Sequence, residues 1–141
     1  MIFVLDACAL ISFLNDEPGA DIVGDLLDKA ADGEIEVCMN IVNLIEVHYG
    51  NIRGIGQERA TFILEHIFAS PIQVVSVLSY KIFRESSRMK AAHKCSIADA
   101  IGLATAMELS AQFVTSDHHE LEAVEKAEPV PFVWLPARPK K

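Results

Sequence analysis

Four acidic residues offer the chemistry in this chain: Asp6, Glu46, Asp99 and Asp117. Asp6 ends the apolar run Ile2 to Leu5, and Asp117 follows a second run, Gln112 to Thr115. Asp99 lies at the start of an apolar helical stretch, Ser96-Ile97-Ala98-Asp99, and Glu46 lies inside IVNLIEVHYG. Each has a simpler reading on its own. Asp6 and Asp117 stand where a helix N-cap belongs, Ser96-x-x-Asp99 fits a capping box, and Glu46 suits the solvated side of an amphipathic helix. Their joint placement changes the balance, because ligands of an open parallel sheet bind beyond the carboxyl ends of its strands, where Asp6 and Asp117 fall. Four hard oxygen donors converging there would repel one another unless they held divalent cations. Carboxylates with retained water suit Mg²⁺ or Mn²⁺ rather than zinc. Such an ion lowers the pKa of a bound water and neutralises charge on a scissile phosphate, so phosphodiester hydrolysis is the chemistry expected.

Supporting groups follow from neighbourhood. Asn43, Glu46 and Gly50 share a helical stripe, so Asn43 is expected to hydrogen-bond the Glu46 carboxylate. Ser96 near Asp99, and Thr115 and Ser116 beside Asp117, can orient water or carboxylates. Glu120 ranks below the four as an auxiliary acid.

The elements that position these residues alternate along the chain. Ile2 to Leu5 reads as a strand followed by a short helix to Leu14, and Asp21 to Ala31 as a helix with Asp25, Asp28 and Asp32 on its polar face. Ile35 to Met39 reads as a strand, and Asn40 caps a helix to about Ile52. A glycine-rich turn over 51–56 separates it from a helix over Gln57 to Ala69 that Pro71 stops. Ile72 to Val77 is a third strand, and Ser79 starts a helix to about Lys94. Lys81, Arg84 and Arg88 share a face of that helix, read first as a solvated side and second as a generic phosphate track flanking the Asp99 stretch. His118 to Lys126 is helical and Phe132 to Leu135 a last strand. Strand–helix alternation throughout predicts one α/β domain over 1–141, with a mainly parallel sheet covered by helices on both faces and a mobile tail over 136–141.

Composition bounds the partners. With 141 residues, 51% of them apolar, the chain can bury the core of one domain. It contains no apolar run long enough for a bilayer, which with the strand-like N-terminus predicts a soluble cytoplasmic protein. Three separated cysteines without a CxxC pair predict reduced thiols and no zinc site. The net charge of -8 opposes nucleic-acid binding at first sight. Seven of those charges come from the segment Leu14 to Glu36, and with the four acids neutralised by cations the remainder of the chain is mildly basic.

The order LDACALI, NLIEV, SIADAIGLATA and FVTSDHHEL resembles PIN-domain proteins, particularly the VapC-like ribonuclease toxins. The resemblance covers nearly the whole chain and implies a three-layer α/β/α sandwich with Mg²⁺- or Mn²⁺-dependent endoribonuclease activity. It also implies homodimers and inhibition by a small VapB-like antitoxin, with Asp6, Glu46, Asp99 and Asp117 as metal-site residues. Cys8 departs from the Ser or Thr common two residues after the first Asp of that family.

Other readings carry less. His118 and His119 as a metal-independent acid–base pair would have to approach one substrate from adjacent positions. A haloacid-dehalogenase-like phosphatase needs DxD where this chain has Asp6-Ala7-Cys8. The non-enzymatic alternative is a PIN-like module that binds RNA or protein without cutting, against which the presence of all four acids counts.

Overall fold

The computed structural model describes residues 1–139. The expectation of a mobile tail over 136–141 therefore falls partly on Lys140 and Lys141, outside the described residues. In chain order the elements are β1 (Ile2–Leu5), α1 (Ala7–Leu14), α2 (Ala20–Ala31), β2 (Glu36–Asn40), α3 (Ile41–Ile55) and α4 (Gln57–Ala69). There follow β3 (Gln73–Val75), α5 (Tyr80–Ala92), α6 (Ile97–Leu109), β4 (Gln112–Thr115), α7 (His118–Ala127) and β5 (Phe132–Trp134).

The strands form a five-stranded sheet ordered β3-β2-β1-β4-β5, and every pairing is parallel. Side chains alternate across such a sheet, which divides the core in two. Phe3, Leu5, Val37, Met39 and Val114 face a core closed by Leu10 of α1, Val23 of α2, Leu44 and Val47 of α3 and Ile67 of α4. Val4, Cys38 and Phe113 face the other, with Met89 of α5, Leu103 of α6 and Leu121 of α7. The result is the expected three-layer α/β/α sandwich with a parallel sheet. Burial on both faces explains why the strands read as continuous apolar runs rather than alternating ones. Leu5, Leu103 and Phe113 are wholly buried, each contributing about 1.5–3 kcal/mol of transfer free energy. No helix among the described residues is long and apolar enough to cross a membrane.

The strand order fixes where a ligand can enter. From β1 the chain proceeds outward through β2 to β3, then returns through α5 and α6 to place β4 on the opposite side of β1. The order reverses between β1 and β4, and their carboxyl ends open the crevice characteristic of such a switch point. Asp6 follows β1 and Asp117 follows β4 by two residues.

Several boundaries differ from expectation. The glycine-rich turn over 51–56 is absent, because α3 continues through Gly50 and Gly54 to Ile55 and ends only at Gly56, whose φ of 89° is left-handed. Solvated helix glycines cost about 1 kcal/mol each relative to Ala; tertiary packing of α3 on its neighbours outweighs that local preference. The third strand is three residues long, and Val77 and Leu78 beyond it are exposed. The acidic face of α2 is solvated, as its periodicity implies, with Asp25, Asp28 and Asp32 all exposed.

Candidate active site

At the end of β1 the chain turns into α1, and Asp6 caps that helix: its Oδ1 accepts the Ala9 N–H at 2.8 Å. Its Oδ2 accepts a hydrogen bond from the Thr115 hydroxyl. Asp6 is only 2% exposed. Burial pushes its carboxyl up from an ordinary 3.8 to about 7, the Asp99 and Asp117 charges add to the rise, and the Thr115 and Ala9 hydrogen bonds oppose it.

Thr115 does two tasks at the end of β4. Having donated to Asp6, its Oγ1 accepts the Asp117 N–H at 3.0 Å. One hydroxyl thus ties the two acids of the switch point together. Asp117 in turn caps α7, accepting the Glu120 N–H at 3.2 Å. Asp99 is the third residue of α6 in a reciprocal capping box: Ser96 Oγ accepts the Asp99 N–H at 3.0 Å, and the Asp99 carboxylate accepts the Ser96 N–H at 3.4 Å. Burial raises the Asp99 pKa, helped by Asp117 and Glu120. Glu46, half-buried on α3, is likewise raised, first by burial and then by Asp99.

These groups meet in one cleft of about 340 Å³, lined by Asp6, Ala7, Cys8, Glu46, Ser96, Asp99, Asp117 and Glu120. Its charged lining is entirely carboxylate. Among the described residues no three Asp, Glu, His or Cys side chains form a ready-made metal cluster. The donor set nevertheless fits a hard, hydrated cation, since Mg²⁺ keeps several waters and needs only one or two protein carboxylates with substrate phosphate completing its shell. Burial, with the Asp6 and Asp117 charges, pushes the Cys8 thiol at the cleft wall up to about 12, which disfavours a thiolate there.

Asn43 differs from expectation. Its Nδ2 donates to the Ala98 carbonyl at 3.1 Å rather than to Glu46, fastening α3 to the first turn of α6. Its Oδ1 is buried without a partner among the described residues, and Gly102 leaves it room: a Cβ there would lie 2.9 Å from that oxygen. Asn43 thereby fixes the helix bearing Glu46 against the helix bearing Asp99. A second tie escaped the sequence reading: Asn40 Nδ2 donates to Thr105 Oγ1 at 3.0 Å, although the Asn40 cap itself was legible.

The basic face of α5 does not join the cleft. Arg88 is committed to Glu128 at 2.7 and 3.1 Å and to Glu85 at 2.9 Å. Arg84 lies 3.8 Å from Glu85, and Lys81 is exposed on the same helix. The histidine pair is also accounted for. His118 Nε2–H donates to the Leu135 carbonyl at 2.7 Å while its ring stacks on Trp134, whereas the His119 side chain is 94% exposed. They do not flank a common point.

The fold finds counterparts among known structures. Similar in structure is VapBC2 from Rickettsia felis bound to a DNA fragment from their promoter, with a TM-score of 0.74, 19% identity, and coverage of 94% of this chain and 98% of that one. DNA-bound VapBC from Salmonella typhimurium gives 0.72 at 15% identity, covering 94% and 97%. VapBC-1 from nontypeable Haemophilus influenzae gives 0.71 at 17% identity, covering 95% and 98%. No curated protein matches the sequence. The PIN domain family model matches residues 3–127, and the chain therefore belongs to the PIN domain family.

Proposed function

We propose that this protein is a Mg²⁺- or Mn²⁺-dependent endoribonuclease, the VapC-like toxin of a toxin–antitoxin pair, acting in the cytoplasm. The observation that carries this reading is the coupling of Asp6 to Asp117 through Thr115 at the sheet's switch point, in one cleft with Asp99 and Glu46. Asp6, Asp99, Asp117 and Glu46 are the residues to hold the cation, which when bound supplies an activated water and charge neutralisation at the scissile phosphate. Around it the chain's own groups orient and tune. The Thr115 hydroxyl and Ala9 N–H hold both oxygens of Asp6 in place, and the Ser96 capping box fixes the Asp99 carboxylate. Burial favours cation binding by these acids, because a carboxylate disfavoured in its bare charged form gains most from a counter-charge.

A small VapB-like antitoxin as partner is supported by the VapBC complexes among the structural relatives. It is supported also by an apolar groove of about 190 Å³ between α1, α2 and α4, bounded by Leu10, Phe13, Leu27, Phe62 and Ile67. Such a groove suits the apolar face of a short helix. A homodimer is supported by the exposed Val77, Leu78, Tyr80 and Phe83 at the start of α5. The test of the enzymatic reading is cleavage of RNA by purified protein. Cleavage should require Mg²⁺ or Mn²⁺, stop with chelator, and vanish in Asp99→Asn while the circular dichroism spectrum is kept. Cleavage persisting in chelator would sink the metal-dependent reading.

A further inference from the structure

Beside the acidic cleft lies a second pocket of about 310 Å³, bounded by Cys8, Ser116, Asp117, His119, Ala137 and Arg138. Cys8 and Asp117 line both, so the two spaces adjoin. Their chemistry differs: the charged lining of the cleft is all carboxylate, whereas the annex sets a guanidinium, an exposed imidazole and a serine beside the shared Asp117 carboxylate and Cys8 thiol.

The guanidinium is placed there by a fastened strap. After β5, the Leu135 N–H donates to the Thr115 carbonyl at 2.9 Å, and the Leu135 carbonyl accepts from His118. Leu135 and Pro136 then cross Gly19 so closely that a Cβ on Gly19, whose φ is 99°, would lie 3.1 and 3.2 Å from them. Two residues further, Arg138 pairs with Glu17, Nε to Oε1 at 2.6 Å and Nη2 to Oε2 at 3.2 Å. Neither bond uses Nη1. The Glu17 pair thus orients the guanidinium at the pocket wall with donor capacity to spare.

A second, independent observation concerns Ser116. Its residue is 4% exposed, and its Oγ is buried without a hydrogen-bond partner among the described residues. A buried hydroxyl left unpaired costs about 1–3 kcal/mol, and a rotation of the Ser116 side chain towards the annex would let a ligand oxygen relieve that cost. The geometry points to this annex as a subsite for a backbone phosphate of RNA next to the scissile one, bound by Arg138, the Ser116 hydroxyl and His119. This rests on the endoribonuclease reading and adds to it a binding position beside the acidic cleft.

The test is steady-state cleavage of a short mixed-sequence RNA oligonucleotide with Mg²⁺ or Mn²⁺, over a series of salt concentrations. Arg138→Gln is expected to raise KM by about tenfold, with kcat within about twofold of wild type. It should also reduce the slope of log(kcat/KM) against log salt by about 0.7, the value for one phosphate contact on a single strand; Arg138→Lys should keep that slope. Ser116→Ala, which removes a hydroxyl with no partner to strand, should melt no lower than wild type and raise KM by about threefold. If Arg138 is only a clasp, Arg138→Gln and Glu17→Gln will lower Tm alike and leave KM and the salt slope unchanged, which overturns the subsite while the nuclease reading stands. Wild-type protein that cleaves no RNA with either metal would instead overturn the nuclease reading, and the subsite with it.

Discussion

Replacing Asp6 by Asn should stabilise the metal-free protein while abolishing its activity. A carboxyl raised from 3.8 to about 7 by burial carries about 4 kcal/mol of unfavourable charging free energy above pH 7, at ~1.4 kcal/mol for each tenfold change in acidity constant. Between those two values the folded chain holds more protons than the unfolded one, so this contribution to stability falls as pH rises from about 4 to about 7. Asn keeps the acceptor for the Ala9 N–H. Its amide can donate to Thr115 Oγ1, provided the threonine hydroxyl turns to another acceptor. Water drawn towards the wild-type charge reduces the difference, and a gain of about 2–3 kcal/mol at pH 8 is expected. In a domain of this size that is a rise in Tm of about 6–10 °C. The assay is thermal unfolding of both proteins in chelator from pH 4 to pH 8. The gap should be near zero at pH 4 and widest at pH 8. Adding Mg²⁺ should raise the wild-type Tm and leave the variant nearly unmoved, while RNA cleavage by the variant falls by at least about 100-fold. An Asp6→Asn protein melting below wild type at pH 8 in chelator would refute the claim that this carboxylate is held at a cost to the fold.

Further outcomes follow from neighbouring contacts. Thr115→Val removes the donor to Asp6 and the acceptor of the Asp117 N–H together; it should lower stability by about 2–4 kcal/mol in chemical denaturation and cut cleavage by about 10–100-fold. Gly102→Ala sets a methyl 2.9 Å from Asn43 Oδ1 and 3.1 Å from the Phe113 ring, and should cost about 1–3 kcal/mol with m unchanged. Mg²⁺ at about a hundredfold its Kd should stabilise wild type by about 2.7 kcal/mol, and calorimetry of Asp99→Asn should show that gain reduced.

The sheet was legible because both of its faces are buried: strands covered on each side read as short apolar runs, and helices between them by their period. The Ser96 box and the Asn40 and Ser79 caps were legible for a local reason, since a cap bonds within three residues of itself. Partners of long-range polar groups were not. Asn43 bonds Ala98 and Asn40 bonds Thr105; a helical stripe says which face a residue occupies, not which element meets it. The partner of Arg88 was equally out of sight, because the Glu128 that claims it stands forty positions away. Arg138 was hidden by lying in a segment whose composition suggests a free tail, where the signal was Glu17 and the Gly19 that the strap must cross.

The hydrogen bond from Thr115 to Asp6 joins residues 109 positions apart, and that separation sets an order of events during synthesis. The residues that line the apolar groove, among them Leu10, Phe13, Phe62 and Ile72, all precede β3 in the chain, and Leu10 and Ile67 pack in one core with the later Val114 and Leu135. The acidic cleft needs β4 docked against β1 and α7 begun at Asp117. A growing chain thus carries the material for its apolar groove well before it carries a complete set of acids. On the toxin reading proposed above, the residues of the partner groove are thus synthesised before the last acid of the site.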